Sequence, residues 1–197
     1  MNIEIRKLTP DLVDDYMRFF DTTPHNGDKD ENKCYCVTWC GDKAEGDRWY
    51  PSSDERRSHA IRRVQEGNIQ GYLAYCDDEI VGWCNANTKA DCQSCINYLS
   101  YDANVPIEEC HAGEKIKFIF CFAIAPKAQR KGVATQLLDY ICRDAAADGF
   151  DFVEAHSKIK FASASNAFRG HLAMYEKCGF SIAAEQADRV VVQKALR

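Results

Sequence analysis

The sequence predicts a single α/β (α+β) domain, and three observations carry that reading. An apolar stretch from Phe118 runs through a glycine-containing turn into an amphipathic segment over 133–148, the pattern of a strand feeding a helix. Two apolar segments, 71–76 and 80–87, are separated only by Asp77-Asp78-Glu79, which reads as a hairpin. With 197 residues, 46% of them hydrophobic, the chain can bury one sizeable core, and nothing calls for a second domain. Residues 1–197 are therefore read as one unit.

Each element has a local reason. Ile3 and Ile5 alternate with polar residues as a short first strand, and Leu12, Val13, Tyr16 and Phe19 give 10–20 a helical stripe. Residues 21–51 turn polar and irregular, with Gly27, Gly41 and Gly46 among them. Ser52 and Glu55 then form a capping box for a helix that ends near Gly67. The hairpin follows, then a polar insertion over 89–115 that carries Cys92, Cys95, Cys110 and His111. The apolar strand ends at Pro126, and Gly149 closes the helix over 133–148. A strand over 150–156, a helix over 171–177 and a terminal hairpin over 180–192 complete the chain.

Charge and cysteine usage narrow the classes. A net charge of −5 and a pI near 5.6 leave no basic face for nucleic acid, so no such partner is expected. Arg56, Arg57, Arg62 and Arg63 are flanked by Glu55 and Glu66 and read as a solvated helix face. No apolar run approaches the length of a membrane span and the N-terminus lacks the regions of a secretory signal, so a cytoplasmic protein without a membrane partner is expected. The 11 cysteines are expected as reduced thiols, because the apolar content makes disulfide staples unnecessary.

The turn at 129–135 is the most informative feature. Gln129, Arg130, Lys131, Gly132, Val133, Ala134 and Thr135 bring successive backbone N–H groups to a helix N-terminus, where the helix dipole adds positive potential. Gly132 suits a positive φ or a close ligand approach, and Ala134 keeps the first helical turn open. A diphosphate fits such a cradle. Neither GxGxxG nor GxxxxGK followed by Ser or Thr is present, so a dinucleotide fold and a P-loop are both unsupported.

Pro126 followed by Gln129-Arg130-x-Gly132-x-Ala134 resembles the acetyl-CoA pyrophosphate loop of the GNAT superfamily, the GCN5-related N-acetyltransferases, whose hallmark is Q/R-x-x-G-x-G/A. Met174-Tyr175-Glu176-Lys177-Cys178-Gly179-Phe180 is similar to that family's LYxKxGF ending. The resemblance implies a mixed, mostly antiparallel central sheet of about seven strands flanked by about four helices, splayed between its fourth and fifth strands. It further implies acetyl-CoA as cosubstrate, with the pantetheine arm pairing with the main chain of Phe122, Ala123 and Ile124 like an added strand. Lys127 and Arg130 would assist the adenine and ribose phosphate. The activity implied is N-acetyl transfer to a primary amine of a small molecule or peptide by direct attack, in a monomer or homodimer.

Within that reading Tyr175 is the expected proton donor to the departing thiolate, since a phenol stays protonated at neutral pH. The fourth-strand position where some members carry a glutamate base is Phe118 here. Glu154 and His156 lie on one face of the fifth strand, with His156 expected near its exposed C-terminal end. Either could act as base, or be a solvated strand residue and a loop-edge polar group. The asparagine that members often carry seven residues before the tyrosine is Phe168, with Asn166 two residues earlier; Gly170 in the following run suits close packing.

Cys36 and Trp39, in the Cys34-Tyr35-Cys36 group and its surroundings with Cys40, would roof the acceptor pocket by resemblance. Cys92 and Cys95 with Cys110 and His111 could in principle hold zinc, but one loose CxxC is more often coincidence, and no metal is assigned. A non-catalytic acyl-CoA-binding module is the alternative function: Phe118 favours it, Tyr175 the enzyme.

Overall fold

The computed structural model describes residues 2–23, 29, 33–39, 50, 52–93, 95, 97–98, 113–159, 164–185 and 188–197. Seven strands form one sheet: β1 (Glu4–Lys7), β2 (Gly71–Cys76), β3 (Glu79–Thr88), β4 (Ile116–Ile124), β5 (Phe152–Lys158), β6 (Ser181–Glu185) and β7 (Arg189–Ala195). Their order is β1-β2-β3-β4-β5-β7-β6, and only β4 and β5 run parallel. Four helices accompany them among the described residues: α1 (Val13–Thr22), α2 (Ser53–Gln65), α3 (Val133–Ala147) and α4 (Leu172–Lys177). This is the mixed, mostly antiparallel α/β sheet that the sequence implies.

Local chemistry explains the elements. Ser52 Oγ accepts the N–H of Glu55 while the Glu55 carboxylate accepts the N–H of Ser52, so the capping box of α2 forms as read. Asp77 and Asp78 take left-handed conformations, φ 50° and 63°, closing the β2–β3 hairpin in a tight turn that aspartate tolerates. Alternation along β3 then feeds two apolar layers. Trp83 joins Tyr16, Phe19 and Phe20 of α1, whereas Cys84 and Ala86 pack with Leu137, Leu138 and Ile141 of α3. Burying each large side chain completely, as for Trp83 and Leu137, stabilises by roughly 1.5–3 kcal/mol.

Two expectations are corrected. Two of the four arginines of α2 leave the solvated face: Arg62 is exposed, but Arg56 and Arg63 are buried, and Arg56 donates to the carbonyls of Lys33 and Tyr50, each at 2.6 Å. Arg57 grips the Asp21 carboxylate through one guanidinium edge, Nε on Oδ1 at 3.0 Å and Nη2 on Oδ2 at 2.9 Å. These bonds tie Lys33 and Tyr50, in the segment between α1 and α2, to the helix pair, so a buried guanidinium satisfies backbone carbonyls there. The fifth strand, moreover, begins at Phe152 and runs to Lys158, not over 150–156. Phe150 belongs to the α3 core, and the strand extends past His156 because β7 continues to pair with it.

Candidate active site

The parallel pair β4–β5 is joined only from Ile116↔Phe152 to Ile119↔Ala155. Beyond that point β5 follows β7, with His156, Ser157 and Lys158 opposite Val191, Val190 and Arg189. Meanwhile β4 stays with β3 through Ile124, after a register shift next to Asn85. Phe122, Ala123 and Ile124 therefore present a β4 edge that no described strand pairs. The side-chain amide of Gln129 caps it by donating to the Ile124 carbonyl at 3.2 Å.

At the end of β4 the chain makes a single 3₁₀ turn at Pro126–Ala128 and enters α3 through a left-handed passage, Arg130 at φ 60° and Gly132 at φ 82°. Gly132 is the N-cap of α3, and open space surrounds the position where a Cβ would project. As in any helix start, the N–H groups of Gly132, Val133, Ala134 and Thr135 lack intrahelical acceptors. Gln129, Arg130 and Lys131 are exposed around them while Val133 anchors the turn in the core. The donors and shape fit a diphosphate. Lys127, in contrast, is ion-paired with Glu79 at the surface.

On the far side of the opening, α4 delivers Tyr175 completely buried against Phe180. Its hydroxyl donates to the Arg169 carbonyl at 2.7 Å, and Ser157 of β5 donates to the next carbonyl, Gly170, at 2.9 Å. The turn at 169–170 is thus fastened to both α4 and β5. Gly170, φ 80°, has no room for a side chain: a Cβ would meet Met174 Cε at 2.7 Å and the Tyr175 ring at 3.0 Å. Burial pushes the Tyr175 phenol well above its ordinary value. Phe168 borders the α1–α2 core, and the Asn166 side chain lies outside the described residues.

His156 and Glu154 are neither loop-edge nor solvated. Each is 1% exposed, because β5 continues past them and β7 covers its edge. His156 Nε2 is 3.2 Å from Glu154 Oε1, and Glu154 also accepts from Lys89 Nζ at 2.6 Å and Gln193 Nε2 at 2.8 Å. Burial would raise the Glu154 carboxyl, but hydrogen bonding from His156 and the charge of Lys89 outweigh it and hold it at about 2. Glu154 is thus a fixed carboxylate. It stands in register with Phe118, whose ring packs edge-on to His156 at 4.8 Å. Lys89, in the turn after β3, carries no signal in the sequence, because only the fold brings position 89 beside position 154.

Cys36 and Trp39 come down on the middle of β4, at Cys121 and Phe120. Cys36 Sγ lies 3.3 Å from Cys121 Sγ and accepts from Trp83 Nε1 at 3.3 Å, while Trp39 packs on Phe120 at 4.8 Å and beneath the Arg169 guanidinium at 5.2 Å. Tyr35 and Cys36 hold left-handed backbones, φ 48° and 51°, fixed by the Tyr16 hydroxyl on the Tyr35 carbonyl at 2.7 Å. Cys92 and Cys95 are buried; Cys40, Cys110 and His111 fall outside the described residues. Among the described residues no group of three or more His, Cys, Asp or Glu is arranged to hold a metal, and no helix is long and apolar enough to cross a membrane.

This arrangement, a sheet splayed after one parallel pairing with a left-handed glycine turn at the mouth, is that of an acyltransferase fold. A family model, Acetyltransferase (GNAT) family, matches residues 32–180, and the chain belongs to the GNAT acetyltransferase family. Solved structures share the fold across essentially the whole chain. An acetyltransferase of the GNAT family from Streptococcus pneumoniae is 17% identical with a TM-score of 0.54, over 98% of this chain and 99% of its own. The PaiA N-acetyltransferase from Thermoplasma acidophilum, in complex with coenzyme A, is 12% identical with a TM-score of 0.54, over 99% of each chain. A spermidine N-acetyltransferase chimera from Vibrio cholerae and hSSAT is 12% identical with a TM-score of 0.55, over 100% of this chain and 96% of its own. None of the curated proteins matches the sequence.

Proposed function

We propose that this protein transfers the acetyl group of acetyl-CoA to a primary amine of a small molecule or peptide. The observation that carries the reading is the loss of β4–β5 pairing after Ile119 and Ala155, which opens the β4 edge directly above the Gly132 turn. The diphosphate belongs at residues 129–135, where unpaired helix-start amides point outward. The pantetheine amides pair with the main chain of Phe122, Ala123 and Ile124 in the manner of an added strand. Bound there, acetyl-CoA supplies an activated thioester.

Tyr175 protonates the departing sulfur. Its O–H now points at the Arg169 carbonyl, and rotation about the C–O bond redirects it without moving a heavy atom. His156 takes the proton released by the attacking amine, and Glu154, too acidic to be a base itself, fixes the imidazole and balances its charge. The carboxylate that Phe118 cannot provide on β4 is provided by the residue in register with it on β5. Cys36 and Trp39 close the acceptor side over Cys121 and Phe120.

A non-catalytic acyl-CoA-binding module is the second reading, favoured by the aromatic Phe118 and its full burial. Calorimetry with acetyl-CoA, paired with an assay of thiol release across a panel of amines, separates the two: the enzyme both binds and releases, the module only binds.

A further inference from the structure

At the opposite end of β4 from the splay, β1, β2, β3 and the end of α3 enclose a cavity of about 230 Å³, lined among others by Leu8, Ile69, Lys115, Lys117 and Phe150. Lys7 and Lys115 have evident structural work. Lys7 pairs with Asp148 at 2.5 Å and Asp144 at 3.1 Å, and Lys115 donates to the Asp148 carbonyl at 3.0 Å, so both complement the negative end of α3. Lys117 is different. It is 3% exposed, and its hydrogen bond to Gln70 Oε1 spans 3.4 Å. Beyond that bond, the ammonium lies over the face of Phe150, 4.7 Å from the ring centroid. An ammonium has three donors, and burying one with so few acceptors is costly unless a ligand completes its shell.

We propose that this cavity is a binding site for a small organic monocarboxylate with a short apolar tail, whose carboxylate accepts from Lys117. Charge selects the class. Three ammonium groups, of Lys7, Lys115 and Lys117, face two carboxylates, of Asp144 and Asp148, which leaves one positive charge for one negative. Leu8, Ile69 and Phe150 supply apolar walls for the tail. The electrostatics agree: burial, followed by the neighbouring Lys7, pushes the Lys117 amine down to about 8, the signature of a cation short of counter-charge. The site is separated from the Gly132 turn by the length of β4 and does not depend on the reading of the splay.

The probe is sodium propionate with a labelled carboxyl carbon, titrated by NMR into the intact protein against sodium chloride at matched ionic strength. Saturable binding is expected for propionate and none for propionamide, which has the same shape without the charge. Lys117→Met should weaken propionate binding by about tenfold or more, the size of one charged hydrogen bond. Saturating acetyl-CoA should leave the titration unchanged. Equal binding of propionamide, undiminished binding by a folded Lys117→Met, no saturable binding of propionate, or displacement of propionate by acetyl-CoA would each overturn the proposal. Should Lys117→Met not fold, the comparison of propionate with propionamide decides on the native chain.

Discussion

Lys89 Nζ lies 2.6 Å from Glu154 Oε1, with the two side chains only 6% and 1% exposed. Lys89 follows β3 and Glu154 sits in β5, so the pair reaches across β4, passing above Phe118, whose ring is 5.7 Å from the ammonium. An aromatic at position 118 offers that cation a face as well as a dry floor. The pair fixes a carboxylate beside His156 without placing an acid on β4.

Breaking this pair from one side should be severe. Lys89→Met leaves a buried carboxylate without its cation and is expected to cost about 3–5 kcal/mol in urea unfolding. Adding Glu154→Gln to that variant should recover much of the loss, because the uncompensated charge is gone. A double variant as unstable as the single one would show that the lysine acts through packing.

Acid stability follows from the same carboxylate. Glu154 is held at about 2, below the ordinary glutamate value of 4.5. A depressed carboxyl stabilises the fold above its unfolded pKa, and that contribution disappears as pH falls from about 4.5 towards 2. The shift corresponds to something on the order of 3 kcal/mol. Unfolding free energy measured across that window should fall steeply in the native chain and less steeply in Glu154→Gln.

At the cradle, Gly132→Ala and Gly132→Asp separate conformation from charge. Both introduce a Cβ at φ 82°, where open space surrounds it, so a stability loss of about 1 kcal/mol is expected from the backbone. Only aspartate places a negative charge where the diphosphate would lie, so calorimetry should show acetyl-CoA binding abolished in Gly132→Asp. Unchanged affinity in that folded variant would remove the diphosphate from this turn.

Tyr175→Phe removes a hydroxyl and keeps the ring that packs on Phe180. Coenzyme affinity should persist while kcat falls on the order of 10²-fold or more, with about 1 kcal/mol of stability lost through the orphaned Arg169 carbonyl. Full kcat would assign the proton to another donor.

His156→Gln should lower kcat/KM by about 10²–10⁴-fold while calorimetry shows coenzyme affinity retained. An unchanged kcat/KM in the folded variant would show that solvent, and not this histidine, removes the proton.

Much of this was readable in the sequence where the information is local. The Ser52–Glu55 box, the Asp77-Asp78 turn and the Gly132 turn each declare themselves within a few residues, because caps and positive-φ positions restrict residue type directly. The burial of His156 was not readable. It depends on β7 covering β5 beyond the point where β4 departs, a pairing between positions 31 to 35 residues apart. Likewise Arg56 reads as a surface charge until the carbonyls of Lys33 and Tyr50 are brought to it. Lys89 carries no local signal, since its partner is 65 residues away.

The most direct test of acetyl transfer is mass spectrometry of the acceptor after incubation with isotopically labelled acetyl-CoA and a panel of small-molecule and peptide amines, with free thiol measured in parallel. One amine class is expected to gain the labelled acetyl group in step with thiol release, and Tyr175→Phe to slow both together. Tight acetyl-CoA binding with no labelled amine and no thiol released across the panel would contradict it and identify the chain as an acyl-CoA-binding module.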